Sequence, residues 1–489
     1  MNVTPARVVV VGGGVGGMAA AWEVTQEAER LGLPIEVTVL EARDRVGGSV
    51  VTERVDGCLV EGGPDCFVSE KPGGMQLIDD LGLGERLSVT NDERRKTFIL
   101  WGGRMHALPD GLILLVPTRV LPFVTATLFS WPGKMRMALD LVLPRRTDGA
   151  DETLGDFIRR RLGNETLEKL GEPLVAGIHS GDPETMSVKA TFPRFIDMER
   201  EDRSLIVSML KRMRKARAAR ESAAKATADG GTPRRRLTMF MTLDEGLGRV
   251  IDELAERVGR STLRTGDAVA AVERRDGGWL VRTAGGVELE SDAVIVATPA
   301  YETARMLAET APHLAAELEE IPYVTSATAT LAYRESEFPR EPDGFGVVIP
   351  KAERRKIKAF TWVTTKFFGR APAGTVLMRC FVRPDAEDGT PLDEAALVQR
   401  AERELAAILG VRVPPLWARA FRWDRAMPQY VVGHMDRVER IESLVAALPG
   451  LALGGGAYRG SGIPDTVTYS RERARMIVAA LAEARSARS

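Results

Sequence analysis

A chain of 489 residues is long enough to bury a sizeable core, and the usual domain size allots it about two or three domains. A formal net charge of −1 excludes a global attraction to nucleic acid or acidic lipid, while 44% hydrophobic and 28% charged residues mark an ordinary soluble globular composition. Cys58, Cys66 and Cys380 have no C-x-x-C spacing, and His106, His179, His313 and His434 are scattered, so neither a disulfide framework nor a metal site is expected.

The first predicted element is a strand. Val8 to Val11 is an uninterrupted β-branched run, as in a strand buried on both faces, and Gly12, Gly13, Gly14, Val15, Gly16 and Gly17 follow it. Gly12, Gly14 and Gly17 fit G-x-G-x-x-G, which lets backbone approach a pyrophosphate. The helix-forming segment from Met18 to Arg30 would aim free N–H groups at its oxygens. A second apolar strand, Ile35 to Leu40, ends at Glu41, with Ala42 and Arg43 behind it. A carboxylate there accepts hydrogen bonds from both ribose hydroxyls of an adenosine and repels a 2′-phosphate. These are the marks of a dinucleotide site, although glycine turns of this spacing also serve structure only.

The segment Arg45-Val46-Gly47-Gly48-Ser49-Val50-Val51-Thr52 resembles the second motif, R-x-G-G-x-x-x-T, of the flavin amine oxidase superfamily. The resemblance implies FAD, with Arg45, Gly47, Gly48 and Ser49 against its diphosphate.

Glu61-Gly62-Gly63-Pro64-Asp65-Cys66-Phe67 is a turn-rich loop, either a plain connection or a return to the cofactor that brings Gly63, Pro64, Asp65 and Cys66 beside it. A short helix from Gly73 to Leu81 ends at Gly82, and a strand from Thr97 to Trp101 meets a hairpin turn at Gly102-Gly103. From Leu112 to about Arg200 the pattern is mainly helical, with an amphipathic helix from Asp156 to Leu170 that Glu172-Pro173 stops. The most apolar span, Gly111 to Leu143, is interrupted by Pro117, Arg119, Pro122, Pro132, Lys134 and Arg136, which excludes a lipid-spanning helix of ~20 apolar residues. It reads as a channel wall, a surface touching a membrane, or ordinary helical core. Between Lys211 and Arg236 ten basic residues face only Glu221 and Asp229, without aromatics for base stacking. This is expected to be a solvated, mobile insertion, and no nucleic-acid partner is implied.

Thr242 to Leu247 is expected to open a helix running to Val258. Val269 to Arg275, Trp279 to Thr283 and Val287 to Leu289, joined by glycine turns, form an antiparallel meander that leads to another buried strand, Asp292 to Pro299. Residues 326–382 alternate with a period near two, as in a sheet roofing a substrate cavity, with Lys351 to Lys358 as a solvated basic loop. Leu451-Ala452-Leu453-Gly454-Gly455-Gly456 runs a last strand into glycines, and Ser461-Gly462-Ile463-Pro464-Asp465 precedes a terminal helix from about Thr466. Gly456, Ser461, Gly462 and Ile463 supply further contacts to the cofactor, with Val269 and Trp423 beside it; Trp423 reads equally as a core aromatic. No cysteine stands in this last motif, so the FAD is expected to be non-covalent.

The expected fold class is α/β, a discontinuous Rossmann-type FAD-binding domain with a mixed-sheet substrate domain and a mainly helical subdomain. The FAD-binding domain takes residues 1–70, 237–310 and 415–489, and the substrate-binding domain takes 71–110 and 311–414. The helical subdomain is 111–236, with the basic insertion at about 211–236.

Nearly the whole chain resembles the flavin oxidases of haem biosynthesis, the oxygen-dependent protoporphyrinogen and coproporphyrinogen III oxidases. The resemblance is carried by Glu61 to Asp65, His106-Ala107-Leu108-Pro109, Glu172 to Ile178, Thr191-Phe192-Pro193 with Arg203 to Ile206, Trp423 with Met427 to Tyr430, and Gly460 to Asp465. Lys71, Pro109-Asp110-Gly111 with Val116-Pro117-Thr118, and the ending Gly-Ile-Pro-Asp look most like the coproporphyrinogen III branch. That branch implies six-electron oxidation of coproporphyrinogen III to coproporphyrin III, with three molecules of oxygen consumed and three of hydrogen peroxide formed. The alternative is protoporphyrinogen IX to protoporphyrin IX. Four propionates ask for more cationic partners than two, and Lys71, Lys96 and Lys366 are the substrate-side candidates. No side chain is forced as a general base, since the flavin carries the chemistry.

The sequence departs from the family at Thr97, where an arginine is common, and at His179 and Thr466. Rival readings are an amine oxidase, a carotenoid desaturase, and a non-catalytic escort of the same fold. The short approach to the first strand leaves no room for a secretion signal, so the expected compartment is the cytoplasm, with peripheral membrane contact through 111–143 and transient handover to an iron-inserting ferrochelatase as candidate partnerships.

Overall fold

The alternation of side chains along β1 (Ala6–Val11) explains its unbroken apolar run. Val8 and Val10 enter one hydrophobic core with helix α1 (Val15–Leu31), while Val9 and Val11 enter a second core on the other face. Each fully buried valine contributes about 1.5–3 kcal/mol. The computed structural model describes residues 4–113, 115–228, 237–339 and 342–487.

In chain order, β2 (Ile35–Glu41) follows α1, helix α2 (Pro72–Asp80) leads to the hairpin β3 (Thr97–Trp101) and β4 (Arg104–Ala107), and a helical layer contains α3 (Leu154–Arg161), α4 (Glu172–His179) and α5 (Leu205–Ala228). Then come β5 (Leu263–Thr265), β6 (Ala293–Val296), β7 (Tyr323–Arg334), β8 (Gly346–Val348), β9 (Ile357–Trp362) and β10 (Thr375–Val382). Helix α6 (Glu394–Leu409), β11 (Trp417–Pro428), β12 (Leu451–Leu453) and α7 (Ile463–Ser486) complete the frame.

Strands from the beginning, middle and end of the chain form one five-stranded parallel sheet, ordered β5-β2-β1-β6-β12. The seven-stranded sheet, ordered β11-β7-β10-β9-β8-β3-β4, is mixed: β8 and β3 run parallel, and its other pairs are antiparallel. One of its faces is covered by Leu397, Ala401 and Leu405 of α6. On the other, Ile99 of β3 joins Leu154, Phe157 and Ile158 of α3 in the core of the helical layer. Among the described residues no helix is long and apolar enough to cross a membrane.

Several expectations change. Trp417–Pro428 lies beyond the expected boundary at residue 415 but pairs with β7, so it belongs to the seven-stranded sheet. Leu314, Leu318 and Ile321, assigned with 311–414, instead pack in the core of the parallel sheet. The predicted Asp156–Leu170 helix breaks at Gly163, whose φ is +93°, and resumes through a π-helical turn at Leu167–Gly171. Glu172-Pro173 does not stop a helix but begins α4, where the missing proline N–H leaves no bond unmade.

The segment opening the Val258 helix is a strand, Phe240–Leu243, followed by a turn and then a helix over Gly248–Val258. Lys211 to Ala228 continues α5 rather than forming a loop, and residues 229–236 of the expected insertion lie outside the described residues. The expected Lys351–Lys358 loop is a short turn at Lys351–Glu353 and the start of β9, which leaves Lys358 half-buried.

Candidate functional site

Three glycines of the first turn are needed for three different reasons. A Cβ at Gly12, where φ is +102°, would stand 2.8 Å from the Ala297 carbonyl oxygen, and one at Gly17 would stand 1.8 Å from that of Gly12. At Gly14 a Cβ would meet nothing within 4 Å, so its backbone faces open space at the start of α1. Tight turn, close helix packing and an open approach to the helix N-terminus together make an anion cradle. Glu41 closes its edge: its carboxylate accepts from the Gly13 N–H at 2.7 Å and the Arg43 N–H at 3.0 Å. The Gly266 N–H donates to the Arg43 carbonyl at 2.6 Å and that of Asp267 to the Glu41 carbonyl at 3.0 Å, which brings the approach to Val269 alongside.

The second glycine pair is tied directly to the first turn, the Gly47 N–H donating to the Gly13 carbonyl at 2.7 Å. Arg45 points back into its own loop, donating to the carbonyls of Val46 and Gly48 at 3.2 and 2.9 Å. Its role is therefore to shape the loop. A Cβ at Gly63 would stand 1.8 Å from the Ser49 carbonyl oxygen, so the Glu61–Phe67 segment lies against this loop. The loop is a return to the cradle and not a plain connection.

Charge holds that return in place. Glu61 is buried, accepting from the Thr52 hydroxyl at 2.6 Å and the Leu247 N–H at 2.9 Å; burial pushes its carboxyl up despite both bonds. The Gly62 carbonyl accepts from Trp423 Nε1 at 2.9 Å and the Thr328 hydroxyl at 3.2 Å, and the Gly63 carbonyl accepts from Arg379. Trp423 is also covered by the Arg43 guanidinium, 5.4 Å from the ring centroid, and so bridges the loop to the cradle.

Asp65 pairs with Lys366 at 2.9 Å and Arg379 at 3.8 Å. Burial opposes its charge, but the two cations outweigh burial and hold its carboxyl well below the usual carboxylate range. Burial, then the neighbouring Asp65 charge, push the Cys66 thiol up to about 12, so it stays protonated and donates to Asp65 at 3.0 Å.

The last glycine turn abuts the first: a Cβ at Gly16 would stand 3.2 Å from Gly455 Cα and 2.9 Å from the Ser470 hydroxyl. Tyr430 clamps it, donating to the Gly456 carbonyl at 2.6 Å and accepting from the Gly460 N–H at 3.0 Å. Ser461 lies against Gly456, and Gly462 caps α7 one residue before Ile463. His434 stacks on Tyr430 at 4.1 Å and bonds the Tyr458 carbonyl through Nε2 at 2.9 Å.

The three candidate lysines separate. Lys71 caps α2 and pairs with Asp465 beside the last turn; Lys96 pairs with Asp343 at 2.7 Å, both side chains more than half exposed. Lys366 is 13% exposed and paired with Asp65, so it serves the loop and is not a rim cation. Sequence reasoning missed Arg379 and Arg370, buried at 3% and 2% exposure. Their signal was an arginine inside an apolar strand, Thr375–Val382, and one ending the Phe367-Phe368-Gly369 run. Such a residue needs a buried partner.

The family model for flavin containing amine oxidoreductases matches residues 15–478. The chain belongs to this family. Two relatives, both coproporphyrinogen III oxidases, are those of Bacillus subtilis, 34% identical and covering 95% of this chain and 96% of the relative, and of Propionibacterium freudenreichii, 36% identical with 98% and 92% covered. A crystal structure of a protein from Exiguobacterium sp. 255-15, 31% identical, superposes with a TM-score of 0.82 over 98% of this chain and 100% of that one.

As a member of the flavin amine oxidoreductase family, this chain is a flavin-dependent oxidoreductase of α/β fold. The residues present fit the cofactor: Gly14 leaves the approach open, and the Glu41 carboxylate stands at its edge.

Proposed function

We propose that this flavin-dependent oxidoreductase oxidises coproporphyrinogen III to coproporphyrin III, using non-covalent FAD and molecular oxygen. The observation that carries the reading is the 34% identity held over 95% of the chain with the Bacillus subtilis coproporphyrinogen III oxidase. A bound flavin supplies the two-electron sink, and six electrons leave a porphyrinogen in three such steps. The chain's own residues position and shield. The glycine turns and the start of α1 hold the diphosphate, and Glu41 exchanges its bonds to Gly13 and Arg43 for the ribose hydroxyls. Asp65, Lys366 and Arg379 fix the loop that meets the reacting edge, and Lys71 and Lys96 receive propionates at the rim. The absence of cysteine between Gly454 and Asp465, with Cys66 bound to Asp65, supports non-covalent attachment.

In this reading residues 1–70, 237–310 and the chain after β11 form the FAD half, while 71–110 and β7 to β11 form the substrate half. The metal-free porphyrin is what an iron-inserting ferrochelatase consumes, and the product passes to it in a transient contact. The protein works in the cytoplasm at a membrane surface, a location supported by Val120, Leu121, Trp131, Met135 and Val142, which stand 64–80% exposed beside Arg119 and Arg136. Failure to float with lipid vesicles would remove that part of the reading.

The decisive experiment offers anaerobic coproporphyrinogen III and protoporphyrinogen IX in parallel to the FAD-loaded protein and follows porphyrin fluorescence after air is admitted. A higher kcat/KM for the four-propionate substrate is expected. Preference for protoporphyrinogen IX would transfer the protein to the other branch, and no turnover of either would reject both.

A further inference from the structure

The ammonium of Lys358 is half-buried and has no hydrogen-bond acceptor or ion-pair partner among the described residues. Lys358 is the extra residue of a bulge, where the pairing of β9 with β10 slips between Ile357 and Ala359. Around it stand Arg383, just past the end of β10, Lys351 and Glu172 of α4. Each neighbour is engaged. Lys351 pairs with Asp182 at 2.7 Å, Glu172 accepts from the Lys351 N–H at 2.9 Å, and Arg383 donates to the Arg355 carbonyl at 3.0 Å. Three cations therefore face two carboxylates.

This surplus lies at the end of a defined surface. Thr328, Phe381, Ala359, Val348 and Ile99 are opposed in register across β7, β10, β9, β8 and β3, so they share one face of the sheet. Thr328 bonds the Gly62 carbonyl, which connects that face to the flavin-side loop, and α4 covers it, with Gly177 near Val348. Lys358, one residue beyond Ala359, and Arg383, two beyond Phe381, close the face on the side away from Thr361 and Arg379.

We propose that Lys358, with Arg383 beside it, is a carboxylate site that receives one propionate of the porphyrin substrate between the sheet and α4. The site rests on the porphyrinogen-oxidase reading. An unpaired, half-buried ammonium is destabilising, and an incoming carboxylate supplies the missing partner. Burial, with the fields of Arg383 and Lys351, draws this ammonium down to about 8 in the free protein, so its charge is lost at mildly alkaline pH.

The test uses the FAD-loaded full chain as wild type, Lys358→Met and Lys358→Arg, titrated with coproporphyrin III by fluorescence and assayed on coproporphyrinogen III. Lys358→Met is expected to weaken porphyrin binding and raise KM about tenfold, with kcat and the flavin spectrum unchanged, and Lys358→Arg to restore both to within about twofold. Wild-type binding should weaken as pH rises through about 8 while that of Lys358→Arg holds, Arg383, Lys351, Glu172 and Asp182 being the charged groups that face the site. Binding by Lys358→Met equal to wild type, or matching pH profiles for wild type and Lys358→Arg, overturns the site while leaving the oxidase reading intact. A wild type that neither binds coproporphyrin III nor oxidises its porphyrinogen overturns both.

Discussion

Asp65 is the residue on which the Glu61–Phe67 loop depends. It neutralises the largely enclosed Lys366 and the buried Arg379, so Asp65→Asn leaves the two facing each other without compensation. We expect a loss of about 3 kcal/mol in unfolding free energy, with weaker FAD retention on gel filtration. Equal stability of mutant and wild type in urea would show that the pair is not what fixes the loop. The Asp65 motif was readable in sequence as part of Glu61 to Phe67. Its partners were not, because Lys366 and Arg379 lie some three hundred residues away, at separations of 301 and 316 for the bonds they make to this loop. No local pattern specifies which distant cation meets a given carboxylate.

At the scale of elements, the helical layer is pinned by a buried ionic cluster of Arg161 with Asp140 and Glu199. Arg161 of α3 and Asp140 are fully buried, and Asp140 also accepts from the Ser204 hydroxyl at 2.7 Å and the Ile206 N–H at 3.0 Å, joining α3 to the start of α5. Asp140→Ala would leave the Ser204 and Ile206 donors without their acceptor and the Arg161 guanidinium with Glu199, 3.5 Å away, as its remaining counter-charge. It is expected to cost about 3–5 kcal/mol and to raise hydrogen exchange selectively in α3 and α5. An unchanged exchange pattern would mean that apolar packing alone holds the layer. Four strands of the parallel sheet were legible because their apolar runs and glycine turns are local, whereas the short, largely exposed edge strand Leu263–Thr265 carries no such run. The single helix read from Asp156 to Leu170 was wrong because periodicity continues across Gly163 even though the backbone does not. A Cβ there would stand 2.5 Å from Arg136 Cγ, a neighbour that the sequence does not reveal.

For the whole molecule, the last glycine turn closes against the first, Gly16 lying against Gly455 and Ser470. His434 supports Tyr430 in that closure, and burial holds its imidazole down at about 4 against an ordinary value of 6.5. The unfolded chain therefore takes up a proton between those values while the folded chain does not. Stability contributed here is full above about pH 6.5, declines as pH falls towards 4, and loses about 3 kcal/mol in total. Urea unfolding at about pH 7.5 and about pH 5 should show this decline in wild type and a shallower one in His434→Gln, which keeps a donor but does not titrate. Parallel declines would assign the acid sensitivity to other groups.

By itself the sequence determined the dinucleotide cradle, four of the five parallel strands in outline, and the family. These depend on short-range rules: glycine where no Cβ fits, β-branched runs where both faces are buried, a carboxylate at the end of the second strand. Tertiary structure alone decided that Trp417–Pro428 joins the substrate sheet, that Lys366 is neutralised by Asp65, and that Lys358 is left without a partner. Strand pairing and the environment of a buried charge are set by segments far apart in the chain, and only folding brings those segments together.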